Sequence, residues 1–203
     1  PLCRRQFSSL VKKQFLEGSV CRNLEPRSPV LKLIVIGSPG VGKTSLIERY
    51  AKKEFKDNYS NSVLDVCQVN FNFMGNALTL QFWDLFWSEK FRNIQYSYFH
   101  DAKGIFLCYD ITDESSFDSL EILDREIPEA QKETAQIVVL GLKSDAEDRR
   151  FVSTEEGKAW AESKGYDFME ISSKTNTNVD QAFEGTIEKI VARTAMTRNI
   201  ATI

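Results

Sequence analysis

The chain has 203 residues, of which 42% are hydrophobic and 27% charged, and its formal net charge is −3. This length suits one α/β domain with an extension and a single core, and the balanced charge does not indicate nucleic acid or an anionic membrane as partner. No apolar run is long enough to span a bilayer. The four cysteines lack metal-type spacing and are predicted to be reduced thiols of a cytoplasmic protein.

The first 25 residues differ from the rest of the chain. Apolar side chains recur there at helical spacing, at Phe7, Leu10, Val11 and Phe15, and the basic residues Arg4, Arg5, Lys12 and Lys13 lie among them. The pattern predicts a basic amphipathic helix, which ends in the proline-containing segment 25–29. This helix is expected either to pack against the chain or a neighbour, or to dock on a membrane surface or a partner. Since the chain starts at Pro1, we expect a fragment or a processed form, with no lipid anchor in the sequence given.

From residue 30 onward, strand and helix patterns alternate. Apolar or β-branched runs predict strands at Val30–Ile36, Val66–Phe73, Ala77–Trp83, Gly104–Tyr109 and Ile137–Leu142. Helical patterns are predicted at Ser45–Lys53, Ser115–Lys132, Thr154–Lys164 and Val179–Arg193. The turn Met74-Gly75-Asn76 suits a hairpin, so one strand should be antiparallel. The alternation predicts an α/β fold with a mostly parallel sheet and helices on both faces.

The ends of two helices are marked by their sequence. Ser115 or Ser116 is predicted to cap the helix Ser115–Lys132, because a hydroxyl can accept a hydrogen bond from a free N–H of the first turn. Gly165 is expected to end the helix Thr154–Lys164, since glycine tolerates the left-handed conformation found after helix ends.

The most informative motif lies between the first strand and the first helix. Residues 37–44 read Gly-Ser-Pro-Gly-Val-Gly-Lys-Thr and fit the spacing G-x-x-x-x-G-K-[ST] of a phosphate-binding P-loop. Such a loop turns its N–H groups toward an anion, and the helix start adds positive potential. Lys43 would reach the β- and γ-phosphates, and the Thr44 hydroxyl would bind Mg²⁺. The predicted phosphate-binding residues are Ser38, Pro39, Gly40, Val41, Gly42, Lys43, Thr44 and Ser45.

Further motifs follow in a fixed order. They are Phe82-Trp83-Asp84, Tyr109-Asp110-Ile111-Thr112 with Ser116-Phe117, Leu142-Lys143-Ser144-Asp145, and Ile171-Ser172-Ser173-Lys174-Thr175-Asn176. With the P-loop, this set resembles the Ras-like small GTPases, and the Rab branch in particular. The resemblance implies a P-loop G domain with a six-stranded, mostly parallel sheet over residues 30–195. Residues 1–29 would be a helix and linker, and 196–203 a tail.

The resemblance assigns a role to each matching position. Asp84 and Thr44 match the family's magnesium-facing residues, and Ser62 takes the place of the switch threonine that contacts Mg²⁺ and the γ-phosphate. A generic loop serine is nearly as good an interpretation of Ser62. The predicted base-binding residues are Phe55, Lys143, Asp145, Ser172, Ser173 and Lys174. Among them, Asp145 would read the donor pair of guanine, which adenine lacks.

Two departures from the family pattern affect binding and catalysis. Leu142 replaces the asparagine that ties the base loop to the P-loop, which should weaken binding by about ten- to a hundredfold, although a leucine here also simply extends the core. At the hydrolytic end, the family's D-x-A-G-Q appears as Asp84-Leu85-Phe86-Trp87-Ser88. Ser88 is too short to orient the attacking water, and Pro39 removes an N–H beside the γ-phosphate.

Leu85, Phe86 and Trp87 place three large apolar residues in a normally mobile loop. They predict either a plug over the domain or a site for an effector or regulator.

Overall, the sequence predicts a divergent Rab-like protein that binds GTP or GDP with Mg²⁺, hydrolyses GTP slowly and regulates membrane traffic or signalling. The alternative is a pseudo-GTPase that acts as an interaction module without nucleotide. A cytoplasmic location, peripheral to vesicle membranes, is expected.

Overall fold

The computed structural model describes residues 29–55, 64–86 and 97–200. They form one six-stranded sheet with the strand order β2-β3-β1-β4-β5-β6. In chain order the strands are β1 (Val30–Gly37), β2 (Leu64–Phe73), β3 (Asn76–Phe86), β4 (Gly104–Asp110), β5 (Gln136–Leu142) and β6 (Asp167–Ile171). The strand β2 pairs antiparallel with β3, and every other neighbouring pair is parallel. The predicted fold class and hairpin are therefore confirmed.

The register brings the carboxyl ends of the parallel strands to one edge of the sheet. Gly37 at the end of β1 lies opposite Phe86 on β3 and Cys108 on β4. Leu142 at the end of β5 lies opposite Asp110 on β4 and Ile171 on β6. Since ligands of open α/β sheets bind outside these ends, this edge is where a site is expected.

Helices cover both faces of the sheet. They are α1 (Lys43–Lys52), α2 (Glu114–Glu126), α3 (Glu129–Thr134), α4 (Thr154–Lys164) and α5 (Val179–Ile200), with a 3₁₀ turn at Glu147–Arg149. One apolar core lies between the sheet and α1 with α5, and a second lies between the sheet and α2 with α4. Strands such as β4 are buried along their full length because each face meets one core.

Aromatic side chains centre the first core. The ring of Phe183 on α5 lies 4.7 Å from the ring of Tyr50, and 4.9 Å from each of the rings of Phe82 and Phe106, measured between centroids. This cluster joins α1, α5 and the middle of the sheet, so it fixes the helix that follows the P-loop.

Tyr109 fills the second core in an unusual way. Its ring is fully buried, and its hydroxyl has no hydrogen-bond partner among the described residues. The hydroxyl sits against Gly157 of α4, where an added Cβ would come within 2.3 Å of it. Glycine is therefore required in the first turn of α4 despite its low helix propensity. Burial raises the pKa of the Tyr109 hydroxyl, so this group remains protonated.

The predicted helix Ser115–Lys132 was wrong in its extent and its cap. The chain forms two helices there, because Pro128 has no N–H and disfavours helical geometry at Ile127, which is extended with ψ 121°. The N-cap of α2 is Asp113, whose carboxylate accepts a hydrogen bond from the N–H of Ser115 at 3.1 Å. A charged oxygen two positions before Ser115 thus takes the role predicted for serine.

Other boundaries differ less. Helix α4 has the predicted bounds and ends at Gly165, which is left-handed with φ 74°. Strand β3 continues three residues past the predicted end at Trp83, and α5 runs on to Ile200, across residue 195. The predicted N-terminal helix, Ser62, Trp87 and Ser88 lie outside the described residues. Within the described ranges, no helix combines the length and apolarity needed to cross a bilayer.

Candidate nucleotide-binding site

The predicted site residues that the structure describes gather at the carboxyl edge of the sheet. The P-loop follows β1, Asp84 lies near the end of β3, Lys143 and Asp145 follow β5, and 172–174 follow β6. These segments are far apart in sequence. The parallel register alone brings them to one edge.

The backbone of the P-loop has the conformation that its glycines permit. Gly40 and Gly42 have φ of 79° and 111°, a region that residues with a Cβ rarely adopt. Helix α1 begins directly after Gly42, and the N–H of Leu46 donates to the Gly42 carbonyl at 2.9 Å. Val41 is buried and anchors the loop, whereas Pro39 and Gly40 are exposed. The loop therefore opens toward solvent at a helix start, where an anion is stabilised.

Lys43 is held beneath this loop by the loop's own backbone. Its ammonium donates to the carbonyl oxygens of Gly37 at 3.0 Å and Ser38 at 2.9 Å. The side chain is only 6% exposed. Burial lowers the pKa of Lys43, although the negative charge of Asp84 opposes this shift. An anion in the loop would favour the charged form further, so the position suits a phosphate.

Thr44 and Asp84 form a hydrogen-bonded pair between α1 and β3. The Thr44 hydroxyl donates to a carboxylate oxygen of Asp84, which is 7% exposed. Asp84 lies within its strand, because β3 passes the predicted end at Trp83 and continues for two residues beyond Asp84. Donation of the Thr44 proton leaves the lone pairs of its oxygen available, so both side chains present hard oxygen atoms of the kind that Mg²⁺ prefers.

Lys143 connects the segment after β5 to the P-loop. Its ammonium lies 2.6 Å from a carboxylate oxygen of Asp110 and donates to the Gly40 carbonyl at 3.0 Å. The backbone of Lys143 is left-handed with φ 63°, a costly conformation for a residue with a side chain. The two contacts hold this turn in place against that cost.

Asp110 is a site residue that sequence reasoning missed. It is buried, and its second carboxylate oxygen accepts hydrogen bonds from the N–H of Thr112 at 2.9 Å and the Thr112 hydroxyl at 2.7 Å. The Ser116 hydroxyl accepts from the Asp110 N–H at 2.9 Å. The motif Tyr109-Asp110-Ile111-Thr112 thus orients Asp110 to hold Lys143. The sequence signal for Asp110 was that it belongs to one of the motifs that follow the P-loop in fixed order.

Leu142 replaces a polar contact with an apolar one. It is 2% exposed and belongs to the core under α1 and α5. Its Cδ1 lies 3.8 Å from the position that a Cβ would take at Gly42. The end of β5 therefore packs against the P-loop through Leu142, and the segment after β5 hydrogen-bonds to it through Lys143. This agrees with the interpretation of Leu142 as an extension of the core.

Asp145 and Ser172 join the two segments predicted to read the base. The Ser172 hydroxyl donates to a carboxylate oxygen of Asp145 at 2.6 Å and accepts from the N–H of Thr175 at 3.0 Å. The N–H of Ser144 donates to the Ile171 carbonyl at 3.1 Å. Ser172 is buried, whereas Asp145 is exposed. One oxygen of Asp145 is thus fixed by the protein, and the carboxylate remains accessible to a ligand.

Arg49 on α1 is a second residue that sequence reasoning missed. It hydrogen-bonds to the carbonyl oxygens of Ser173 and Lys174, and its guanidinium carbon lies 5.7 Å from the ring centroid of Phe55. Arg49 therefore contacts three predicted base-binding residues. An arginine in the last turn of a helix is ordinarily explained by the helix dipole, so the sequence held no distinctive signal.

The apolar segment after Asp84 is only partly a surface. Leu85 belongs to β3, is 2% exposed and packs in the core under α2 and α4. Leu85 therefore lies in a strand and not in a loop, which corrects that part of the prediction, and its burial agrees with the alternative in which it packs against the domain. Phe86 ends β3, and Trp87 lies outside the described residues.

Comparison with known proteins identifies the family. Residues 32–192 match the model of the Ras family. The chain is 37% identical over 155 residues to the GTP-binding protein ypt2 of Schizosaccharomyces pombe, an alignment that covers 76% of this chain and 78% of that protein. It is 38% identical over 162 residues to Ras-related protein Rab-3C of Mus musculus, covering 79% and 71%.

Ras-related protein Rab-10 of Caenorhabditis elegans is 37% identical over 169 residues, which cover 83% of this chain and 84% of that protein. These relatives are Rab or Ypt proteins, in agreement with the branch predicted from the motifs. The chain belongs to the Ras family of small GTPases and to its Rab-like branch.

Proposed function

We propose that this protein binds GDP and GTP with Mg²⁺, hydrolyses GTP slowly, and acts in the cytoplasm and at vesicle membranes, where it regulates membrane traffic or signalling through protein partners. The observation that carries nucleotide binding is the contact of Lys143 with both Asp110 and the Gly40 carbonyl. Through it, the phosphate-binding loop and the segment after β5 form one continuous site.

The phosphate half of this site rests on charge and backbone geometry. Lys43 supplies a buried ammonium, and Gly40 and Gly42 permit the loop to surround an anion. The start of α1 adds partial positive charge at the same point. These features favour a di- or triphosphate over an uncharged ligand.

The fit to Mg²⁺ rests on Thr44 and Asp84. No group of three or more acidic, histidine or cysteine side chains able to hold a metal occurs in the described part of the chain. A single carboxylate with one hydroxyl suits Mg²⁺ that is completed by water and nucleotide oxygens. When bound, the ion neutralises charge on the β- and γ-phosphates. Thr44 and Asp84 would hold it, and Asp84 in turn keeps the Thr44 hydroxyl oriented.

The half of the site that would bind the base favours guanine over adenine. The carboxylate of Asp145 can accept from two neighbouring donors, which guanine offers at N1 and its 2-amino group and adenine does not. The Ser172 hydroxyl donates to one oxygen of this carboxylate at 2.6 Å, so the carboxylate is oriented before a ligand binds. Preorganised acceptors of this kind increase the discrimination between ligands.

Slow hydrolysis rests on residues whose counterparts in the family act at the γ-phosphate. Pro39 lies in the exposed part of the P-loop and provides no N–H there. The family's glycine and glutamine are Trp87 and Ser88. A serine does not reach a water that a glutamine orients, so the catalytic end is impaired while the binding end is retained.

Nucleotide identity is tested by denaturing the purified protein and chromatographing what is released, together with titrations of fluorescent GDP and ADP in Mg²⁺. We expect guanine nucleotide in the supernatant and a preference for GDP. Adenine nucleotide would contradict the proposal. Absence of both bound nucleotide and GDP affinity would favour the nucleotide-independent interaction module.

Hydrolysis is tested by single-turnover phosphate release from GTP-loaded protein. We expect a rate below that of Ras, about 3–5 × 10⁻⁴ s⁻¹. Ser88→Gln alone should change little because Trp87 and Pro39 remain, whereas Trp87→Gly with Ser88→Gln should accelerate release. Ser163→Gln on the exposed end of α4 is the matched control. A wild-type rate at or above that of Ras would show that another residue positions the water.

A further inference from the structure

The side chain of Arg49 joins the helix after the P-loop to the segment after β6. Its Nε donates to the Ser173 carbonyl at 2.6 Å, and one terminal nitrogen donates to the Lys174 carbonyl at 3.0 Å. The other terminal nitrogen donates to the Lys53 carbonyl, at 3.1 Å, where α1 ends. All three bonds have a charged donor, which makes them stronger than neutral ones.

Arginine is suited to this position by its shape. A planar guanidinium has donors directed along fixed lines in one plane, so it can bond neighbouring carbonyls while a ring lies near its face. The Phe55 ring centroid is 5.7 Å from the guanidinium carbon. Lysine carries a single ammonium and cannot maintain three separate bonds with these directions.

The bonds to Arg49 fix the direction of backbone N–H groups as well as carbonyls. The described residues contain no cis peptide bond, and in a trans peptide the N–H points opposite to the carbonyl. Since the Ser173 carbonyl turns toward α1, the N–H of Lys174 turns away from it. The next peptide is held at both ends, because Arg49 binds the Lys174 carbonyl and Ser172 binds the N–H of Thr175.

Ser172 links this arrangement to Asp145, to which it donates a hydrogen bond at 2.6 Å. The same short segment therefore holds the guanine-reading carboxylate and presents the N–H of Lys174, whose direction Arg49 fixes, beside it. In guanine, the 6-oxo group is next to the N1–H, from which Asp145 would accept a hydrogen bond. Leu142, which replaces the family's asparagine, offers this segment no hydrogen bond.

We infer that Arg49 is a positioning residue for recognition of the purine 6-oxo group, because it fixes the Ser173–Lys174 peptide with the N–H of Lys174 turned away from α1 and free to donate to that oxygen. The inference rests on the proposed binding of guanine nucleotides. Arg49 itself touches no ligand. It acts through the Ser173–Lys174 peptide, whose N–H is presented to the ligand, while its bond to the Lys174 carbonyl holds the next peptide, whose N–H Ser172 binds.

The test compares GDP with 6-thioguanosine diphosphate, which keeps N1–H and the 2-amino group but replaces the 6-oxygen by a poorer acceptor. Dissociation constants are measured for the full chain and for Arg49→Met. We expect Arg49→Met to weaken GDP by about two- to tenfold, the equivalent of one hydrogen bond. It should weaken the thio analogue less, so the preference for GDP decreases. Arg49→Lys should fall between the two proteins.

Arg125→Met is the matched control, because this arginine is exposed on α2 and pairs with Glu121 within its own helix. It should leave both dissociation constants unchanged. Thermal unfolding of each variant separates an effect on stability from an effect on nucleotide recognition. Equal weakening of both nucleotides with a lowered melting temperature would mean a purely structural role and would overturn the inference.

The outcomes for the wild-type protein separate this inference from the proposed function. If the wild type prefers GDP and Arg49→Met keeps the same preference, the inference about Arg49 is wrong while guanine binding stands. If the wild type binds neither nucleotide, the proposed function fails and takes the inference with it. A reduced preference in Arg49→Met, partly restored in Arg49→Lys, supports the inference.

Discussion

Replacement of Asp145 by asparagine should redirect base preference from guanine to xanthine, and the hydrogen bonds of Ser172 explain why. The Ser172 hydroxyl accepts from the N–H of Thr175 at 3.0 Å and donates its proton to Asp145 at 2.6 Å. It therefore requires an acceptor at position 145. In Asp145→Asn, the amide should turn its oxygen to Ser172 and its NH₂ group toward the base.

This orientation opposes guanine and suits xanthine. Guanine presents two donors to the carboxylate, and hydrogen bonds to a charged group contribute about 1.5–3 kcal/mol each. Loss of both costs about 3–6 kcal/mol, or roughly a hundred- to ten-thousandfold in the Kd for GDP. Xanthine has an oxo group in place of the 2-amino group, so it can accept from the asparagine NH₂.

The assay is competition of GDP and xanthosine diphosphate against a fluorescent nucleotide. Asp148→Asn, an exposed change in the neighbouring 3₁₀ turn, is the matched control and should alter neither affinity. Adding Ser172→Ala to Asp145→Asn frees the amide to rotate and should reduce the gain for xanthine. If xanthosine diphosphate gains nothing relative to GDP in Asp145→Asn, the carboxylate does not read the base and the reasoning fails.

Two further predictions concern buried groups. Lys43→Ala should abolish binding in a fluorescent GDP titration, because the buried ammonium is the main side-chain charge facing the phosphates. Lys52→Ala, a change at an exposed lysine of the same helix, is the control and should bind GDP normally. Comparable affinity in the two variants would refute the P-loop assignment. Tyr109→Phe should raise the free energy of unfolding in urea by about 1 kcal/mol, because it removes a buried hydroxyl that lacks a partner. A lower stability would mean that the hydroxyl is satisfied.

The fold was predictable from sequence where one local pattern determined the result. Buried strands such as Gly104–Asp110 are continuous apolar runs, and the end of α4 is marked by Gly165. The failure at Pro128 had a local cause, since the apolar spacing continued through a residue that cannot remain in a helix. The extension of β3 to Phe86 was missed because the resemblance to the family implied a loop after Asp84.

The candidate site divides in a similar way. The P-loop was predicted because its chemistry needs particular residue types at fixed spacing, and Asp145 was predicted from the resemblance of its motif to that of the family. Arg49 and Asp110 were missed because their roles depend on partners 124 residues away, at Ser173, and 33 residues away, at Lys143. The contact of Asp110 with Lys143 arises from the parallel register of β4 and β5, and that of Arg49 from the position of α1 beside the segment after β6. No local pattern specifies either of them.

The replacement of asparagine by Leu142 has a smaller expected effect once these contacts are known. Lys143 retains a polar connection to the P-loop through the Gly40 carbonyl, and Leu142 packs against Gly42. The loss of affinity should therefore lie near the tenfold end of the range for one polar contact. Weaker binding would accelerate nucleotide release, whereas the proposed function has Trp87 and Ser88 retard hydrolysis. We therefore expect exchange with the surrounding pool, more than turnover, to determine which nucleotide the protein carries.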